Sequence, residues 1–444
     1  MRYEGICKVF AVLAAAGTAL PLGAELRLAA ECARESALFA ANEKITFRVT
    51  LKGEDGSFAA GRKIQYTLKG DGGLLKNGEF LSGDKAQELD TRLDRPGFVL
   101  LTVTAKGEKR TLKTWAGAGV EPEKILPGTP ETPDFDAFWQ KELADLRGRP
   151  VKAEAEEVKD PKIRFGVKVY KVLLDNGAVR ANGYLTVPGG AENGTLPITA
   201  MFNGASFIGS SYAGADSVAS QYKTLVFNMN LHDTPPDIPR REWGKWRRSE
   251  EILDYMYRDT ADPRKYRIFK IFQRVALTLE YLKTRPEWNR RTIIVRGGSL
   301  GGAQALAAAY FEPKTVLCVA NAPALADHYG ADRQQFPGWP NLFARLAETS
   351  PGELAAARKT MRYFDVVNFA RRIRCPVAMS TGFIDTVCPP TTGYGVYNSV
   401  PGKKSIANVT LGTHGRSLKK GEKNVFAFGG DRVAEACRQA REGK

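Results

Sequence analysis

Apolar positions change their period along this chain, and the change marks two regions. Over residues 25–119 the period is two. KITFRVTLKG (44–53), KIQYTLKGDGG (63–73) and GFVLLTVTAKG (97–107) alternate apolar with polar residues, Gly/Asp/Asn turns separate them, and RTLKTWAG (110–117) continues the series. Half-buried strands at such spacing, with no helical stretch between them, predict a small β-sandwich. EPEKILPGTPETP (121–133) then breaks the pattern with prolines and sets a domain boundary. Beyond it, DFDAFWQKELADL (134–146) reads as an amphipathic helix with Asp134 as N-cap. Two alternating strands flank Asp175-Asn176-Gly177 as a hairpin within 163–188. Thereafter apolar strand-like runs (197–202, 224–229, 292–295, 315–320, 376–380 and 405–411) alternate with helical stretches. Ile268, Phe272, Val275, Leu279 and Leu282 form one helical stripe, and 432–441 closes the chain as a helix. Such alternation predicts an α/β domain over 120–444, a mainly parallel sheet covered by helices on both faces.

One stretch of that domain carries chemistry. In TIIVRGGSLGGAQALAAAY (292–310) a short buried strand runs into Gly297-Gly298-Ser299-Leu300-Gly301-Gly302 and then an Ala-rich helix. Strand, G-x-S-x-G, helix is the nucleophile elbow of an α/β-hydrolase. The serine stands on a sharp, strained turn, so the residues two before and two after it have almost no room for a side chain. Gly297 and Gly301 hold those places.

A serine hydroxyl needs a base to take its proton, and the base needs an acid to orient it. The chain has three histidines. The order in this fold is serine, acid, histidine, which excludes His232. His328 follows the serine with two strands of the sheet still to come. His414, in LGTHGRS just after the last strand, is the expected base. Asp385, in STGFIDTVCPP at the end of the preceding strand, is the expected acid. Its competitor Asp365 precedes that strand and reads as a helix cap or surface charge. Two backbone N–H groups must meet the oxyanion. One belongs to Leu300, and the other falls in MFNGASF, at Ala205, with Gly204 letting the backbone turn.

Composition adds context. The 444 residues, 43% hydrophobic and 26% charged, are ordinary for a globular chain. The formal charge of +16 is spread along the sequence rather than held in one tail, so it reads as a basic surface without a specific anionic partner. Residues 1–24 pair Arg2 and Lys8 with an apolar run ending in small residues, the pattern of a secretory signal peptide. Secretion or a periplasmic location follows, with no membrane insertion and no nucleic acid as partner. Six cysteines fit neither a disulfide framework nor a zinc site, although Cys375 and Cys388 could pair if their loops met. No H-E-x-x-H or paired C-x-x-C suggests a metal, and Ser210 stands where a P-loop spaced from Gly204 and Gly209 needs lysine. No cofactor is expected. RREWGKWRR (240–248) could stack on sugars, form a lid, or be a solvated helix or loop.

With these residues in hand, the region from about Pro133 onward resembles the acetyl xylan esterase / cephalosporin C deacetylase family, carbohydrate esterase family seven. PDFDAFWQKELADL, GGSLGGAQALAAA and YFDVVNFARRIRCPVAMSTGFIDTVCPPTTGYGVYN carry the likeness. It implies hydrolysis of acetyl esters on oligo- or polysaccharides through an acyl-enzyme, and it assigns the catalytic roles to Ser299, Asp385 and His414. Three departures bear on the pocket. Leu300 replaces the usual Gln after the nucleophile, Gly415 the usual Glu after the histidine, and NMNLHD (228–233) stands in place of an R-G-Q motif. The β-domain lies outside the usual family pattern. Two other readings are open: a hydrolase of another acyl group or of a peptide bond, and a non-catalytic sugar-binding protein on a hydrolase scaffold.

Overall fold

The computed structural model describes residues 25–205 and 209–442; the expected signal peptide at 1–24 lies outside them. Among these residues three sheets form. Strands β1 (Arg27–Cys32), β2 (Leu38–Phe39), β3 (Ile45–Lys52), β4 (Lys63–Gly70), β5 (Leu75–Leu81), β6 (Gln87–Thr91), β7 (Gly97–Lys106) and β8 (Thr111–Val120) build the N-terminal sandwich. One sheet runs β1-β3-β6 and the other β2-β8-β7-β4-β5. Inward residues of the two sheets, Phe47, Val49 and Leu51 against Leu68, Leu101 and Val103, share one core. That is the consequence of period-two alternation with one wet face. Asp71, just after β4, is a buried carboxylate, 1% exposed.

The segment after β8 leads into the helix Phe135–Arg147. Asp134 sits at its N-cap position without capping it; its carboxylate instead accepts from the Tyr363 hydroxyl at 2.7 Å. Trp139 is buried in an aromatic cluster with Phe272, Phe311 and Phe369, and its indole N–H donates to the Tyr363 carbonyl.

Strands β9 (Lys152–Glu157), β10 (Val167–Asp175), β11 (Arg180–Pro188), β12 (Leu196–Phe202), β13 (Leu225–Met229), β14 (Trp288–Gly298), β15 (Thr315–Asn321), β16 (Val377–Gly382) and β17 (Lys404–Val409) form one sheet in the order β17-β16-β15-β14-β12-β13-β11-β10-β9. The six strands from β17 to β13 pair in parallel, and β11, β10 and β9 add an antiparallel edge. Helices cover both faces. Arg267–Thr284 packs its stripe into the main core with Phe135–Arg147 and Leu300–Phe311, while Gly430–Arg441 buries Val433 and Cys437 against Ile294 and Leu317 on the other face. Because β12 to β17 are parallel, the loops after β12, β14, β16 and β17 all emerge at one carboxyl edge, where ligands of open α/β sheets bind. No helix among the described residues is long and apolar enough to cross a membrane.

Candidate active site

The elbow between β14 and the Leu300–Phe311 helix is built as the glycine pattern requires. Ser299 has φ 57° and ψ −127°, a sparsely populated conformation for a residue with a Cβ. A Cβ on Gly297 would lie 2.3 Å from the Gly301 backbone, and one on Gly301 would lie 2.2 Å from the Phe202 carbonyl oxygen. Strand, turn and helix are thus in backbone contact. The Ser299 N–H donates to the Asn321 carbonyl at the end of β15, and the Ser299 carbonyl accepts from Gly302, Ala303 and Ala324. These bonds over-determine the strained residue.

Two other loops meet the serine. His414, five residues past β17, brings Nε2 to 2.9 Å from Ser299 Oγ. Its Nδ1 is 2.8 Å from Asp385 Oδ2. Asp385, 3% exposed, follows β16; its other oxygen accepts the backbone N–H groups of Val387 at 2.8 Å and Cys388 at 2.9 Å. Those two donors, with the Nδ1 contact, satisfy a carboxylate that burial would otherwise destabilise. The three side chains picked out along the chain therefore stand in one hydrogen-bonded line across three strand ends. Cys388 lies beside them. Burial, and then the neighbouring Asp385 charge, push its thiol well above the ordinary range, against a hydrogen bond from the Ser299 hydroxyl, so it remains a protonated, apolar neighbour.

On the opposite side of Ser299 runs the loop after β12. Ala205 lines the same cavity as Ser299, and a Cβ on Gly204 would lie 3.6 Å from the Ser299 Cβ. Gln304, buried in the elbow helix, donates to the Asn203 carbonyl at 2.9 Å, and Asn203 donates to the Met229 carbonyl. Leu300 begins the helix, where a main-chain N–H has no intrahelical acceptor and the helix dipole favours negative charge. Its side chain is fully buried in the core. The cavity holds about 420 Å³, with Trp339, Val387 and Phe426 as apolar walls.

Phe426 reaches the site from a segment beyond His414. Its ring meets the His414 imidazole edge-on at 5.2 Å and 87°. Gly415 has φ +94°, and a Cβ there would lie 2.9 Å from the same ring. A glutamate after the histidine would be strained and would collide with this aromatic, which is the physical reason for one of the three departures. Asn321 fixes the segment by donating to the carbonyls of Phe426 and Phe428. A phenylalanine twelve residues beyond the histidine gives no signal in the chain alone.

The other candidates lie elsewhere. His232 is 1% exposed and edge-on to Tyr255, and it lines a separate cavity of about 320 Å³ with Glu251 and Arg274. Burial, then the Arg274 charge, push its imidazole down to about 4, against Glu251. It is buried apart from the Ser299 cavity. His328 is also buried, with Nδ1 3.1 Å from Asp365 Oδ2. Asp365 is the N-cap of Val366–Ala370, accepting from the Val367 N–H, but it is fully buried and not a surface charge. Cys375 and Cys388 are free thiols, so the possible pairing does not form. The 240–248 stretch is a short 3-10 turn and the helix Trp243–Arg247, with Arg240 and Arg247 over the Trp243 ring.

The chain is similar to known proteins over most of its length. The family model described as Acetyl xylan esterase (AXE1) matches residues 123–429, well over half of the chain. Acetyl esterase Axe7A of Xylanibacter ruminicola is 30% identical over 324 residues, 72% of each protein. The solved acetyl xylan esterase from Paenibacillus sp. R4 superposes with a TM-score of 0.58 at 24% identity, covering 66% of this chain and 93% of that one. Acetyl xylan esterase 1 from Thermoanaerobacterium sp. JW/SL YS485 gives 0.59 at 22% identity, covering 72% and 98%. The solved structures share the fold of the second domain.

Proposed function

This chain belongs to the acetyl xylan esterase family, whose members are carboxylic-ester hydrolases, and we propose that it removes acetyl groups from sugars as a serine esterase. The observation that carries this reading is the unbroken line from Asp385 through His414 to Ser299, at 2.8 and 2.9 Å. His414 takes the Ser299 proton as Oγ attacks the acetyl carbonyl. The N–H groups of Leu300 and Ala205 receive the oxyanion. The tetrahedral species collapses as His414 passes its proton to the leaving sugar oxygen, which leaves acetyl-Ser299. Water, deprotonated by the same imidazole, attacks that ester and releases acetate. Asp385 holds the ring in the tautomer that presents Nε2 to the serine. His414, within bonding reach of Ser299, takes or gives each proton, so the reaction needs no cofactor.

The substrate we propose is an acetylated oligo- or polysaccharide, in keeping with the names of the relatives. Within this reading, residues 25–119 are a β-sandwich domain and 120–444 the catalytic domain. Residues 1–24 are a signal peptide that directs the protein to the periplasm or outside the cell. Acetate release from a panel of acetylated glycans tests the proposal. Release from at least one, lost in Ser299→Ala, is expected. Turnover only of long-chain or aromatic acyl esters would replace deacetylation with another ester hydrolysis, and no reaction with a serine-directed phosphonate would leave a sugar-binding protein.

A further inference from the structure

The loop that carries Asp385 is gripped by the N-terminal sandwich, and the grip centres on one buried carboxylate. Asp71 is 1% exposed and collects three donors from three places. Its Oδ2 accepts from the Phe98 N–H of β7 at 2.7 Å and from the Thr391 hydroxyl at 2.6 Å. Its Oδ1 accepts from the Phe336 N–H at 2.7 Å. Thr391 lies in the first turn of the helix Pro390–Ser399. It is joined through Pro389 and Pro390 to Cys388 and Val387, the two residues whose N–H groups hold Asp385.

The near side of the loop is held as well. Phe383, two residues before Asp385, packs edge-on against Phe98 at 5.0 Å, and a Cβ on Gly117 of β8 would lie 2.3 Å from the Phe383 carbonyl. Phe98, Phe383 and Tyr394 form one apolar cluster shared by both domains. A buried carboxylate facing three donors is costly to place unless all three stay in register. Burial accordingly pushes the Asp71 carboxyl up to about 6, against the Thr391, Phe98 and Phe336 hydrogen bonds.

We propose that Asp71 is a positioning residue for ester hydrolysis: through Thr391 it fixes the acid loop from the N-terminal sandwich, and so sets the Asp385–His414 hydrogen bond. The sandwich is then part of the catalytic unit rather than a spacer. This rests on the triad reading above.

Two substitutions separate the role from mere folding. In Asp71→Asn the amide must aim its NH2 at a backbone N–H in either orientation, of Phe98 or of Phe336, so at least one contact becomes repulsive. Thr391→Val deletes one donor at nearly constant volume, and Thr391→Ser restores it. Each is assayed on p-nitrophenyl acetate, with active sites counted by phosphonate titration, alongside Ser299→Ala. A fold defect lowers the titre, whereas a misplaced acid lowers turnover per titrated site.

The expected result is a fall in kcat per site of roughly 10- to 100-fold for Asp71→Asn, the scale of a sub-ångström to 1 Å misplacement. A smaller fall is expected for Thr391→Val and recovery for Thr391→Ser, all with KM little changed. Should Asp71→Asn fail to fold, the Thr391 pair decides alone. Wild-type turnover per site in the folded variants, or a rise in KM at constant kcat, overturns the proposal. Residual wild-type activity in Ser299→Ala would overturn the triad reading instead.

Discussion

The elbow can be tested at a residue that has no functional group. Gly301 lies beneath the end of β12, where a Cβ would approach the Phe202 carbonyl oxygen to 2.2 Å, its carbon to 2.9 Å and the Asn203 carbonyl carbon to 3.2 Å. These are main-chain atoms of a central strand, so no rotamer change can clear them. Gly301→Ala must move strand and helix apart by roughly 1 Å to reach ordinary contact. The strand end that gives way leads directly into Asn203, Gly204 and Ala205 of the following loop, one rim of the proposed oxyanion site. A 1 Å error in a reacting geometry costs about 10²-fold in rate, and loss of one oxyanion donor about 10²–10³-fold. We therefore expect Gly301→Ala to lower kcat on p-nitrophenyl acetate by about 10²-fold, and overpacking to remove about 1–3 kcal/mol of stability. Stopped-time hydrolysis and a thermal melt measure the two effects. Gly244→Ala, where the nearest atom would be a side-chain nitrogen of Arg248 at 3.8 Å, is the control and should behave as wild type. Wild-type turnover in Gly301→Ala would refute the close-approach argument and with it the elbow geometry.

Three further outcomes follow from the same contacts. Asp385→Asn keeps the volume but presents the wrong partner to His414 Nδ1, and should reduce kcat by roughly 10³–10⁴-fold in a spectrophotometric esterase assay. Gly415→Glu, which restores the residue usual in the family, meets both φ +94° and the Phe426 ring; turnover should fall about tenfold or more, the scale of about 1–3 kcal/mol of backbone strain. His232, neutral in the fold because its imidazole sits near 4 rather than 6.5, binds a proton more readily when unfolded. Its contribution is complete above about pH 6.5 and is lost as pH falls through 4, on the order of 3 kcal/mol. His232→Gln should flatten that limb of a melting-temperature-against-pH curve.

Much of the site is readable in the chain because its parts are local or few. The elbow is six consecutive residues with a fixed steric demand. Only three histidines compete, and strand order removes two of them. The parallel sheet follows from buried apolar runs between helical stripes. What escapes is either weakly patterned or remote. Strand β9 (KAEAEE) is exposed along its whole length and alternates its charges only with alanine, and β6 (QELDT) has a single apolar residue, so neither carries the alternating large apolar side chains that mark a half-buried strand. Asp134 has a cap's sequence position yet spends its carboxylate on Tyr363. The Asp71–Thr391 contact joins residues 320 positions apart, and Phe426 reaches His414 by tertiary packing alone. Pairings of that kind are set by the closed fold and leave no trace in local period or spacing.

The central claim is that Ser299 carries the acyl group. A fluorophosphonate ester, which reacts only with an activated serine, measures this directly when the labelled protein is digested and mapped by mass spectrometry. We expect one label per chain, on the peptide containing Ser299, with acetyl esterase activity lost in proportion to labelling and no label in Ser299→Ala. Activity that survives complete labelling, or a label on another residue that tracks the loss, would contradict it.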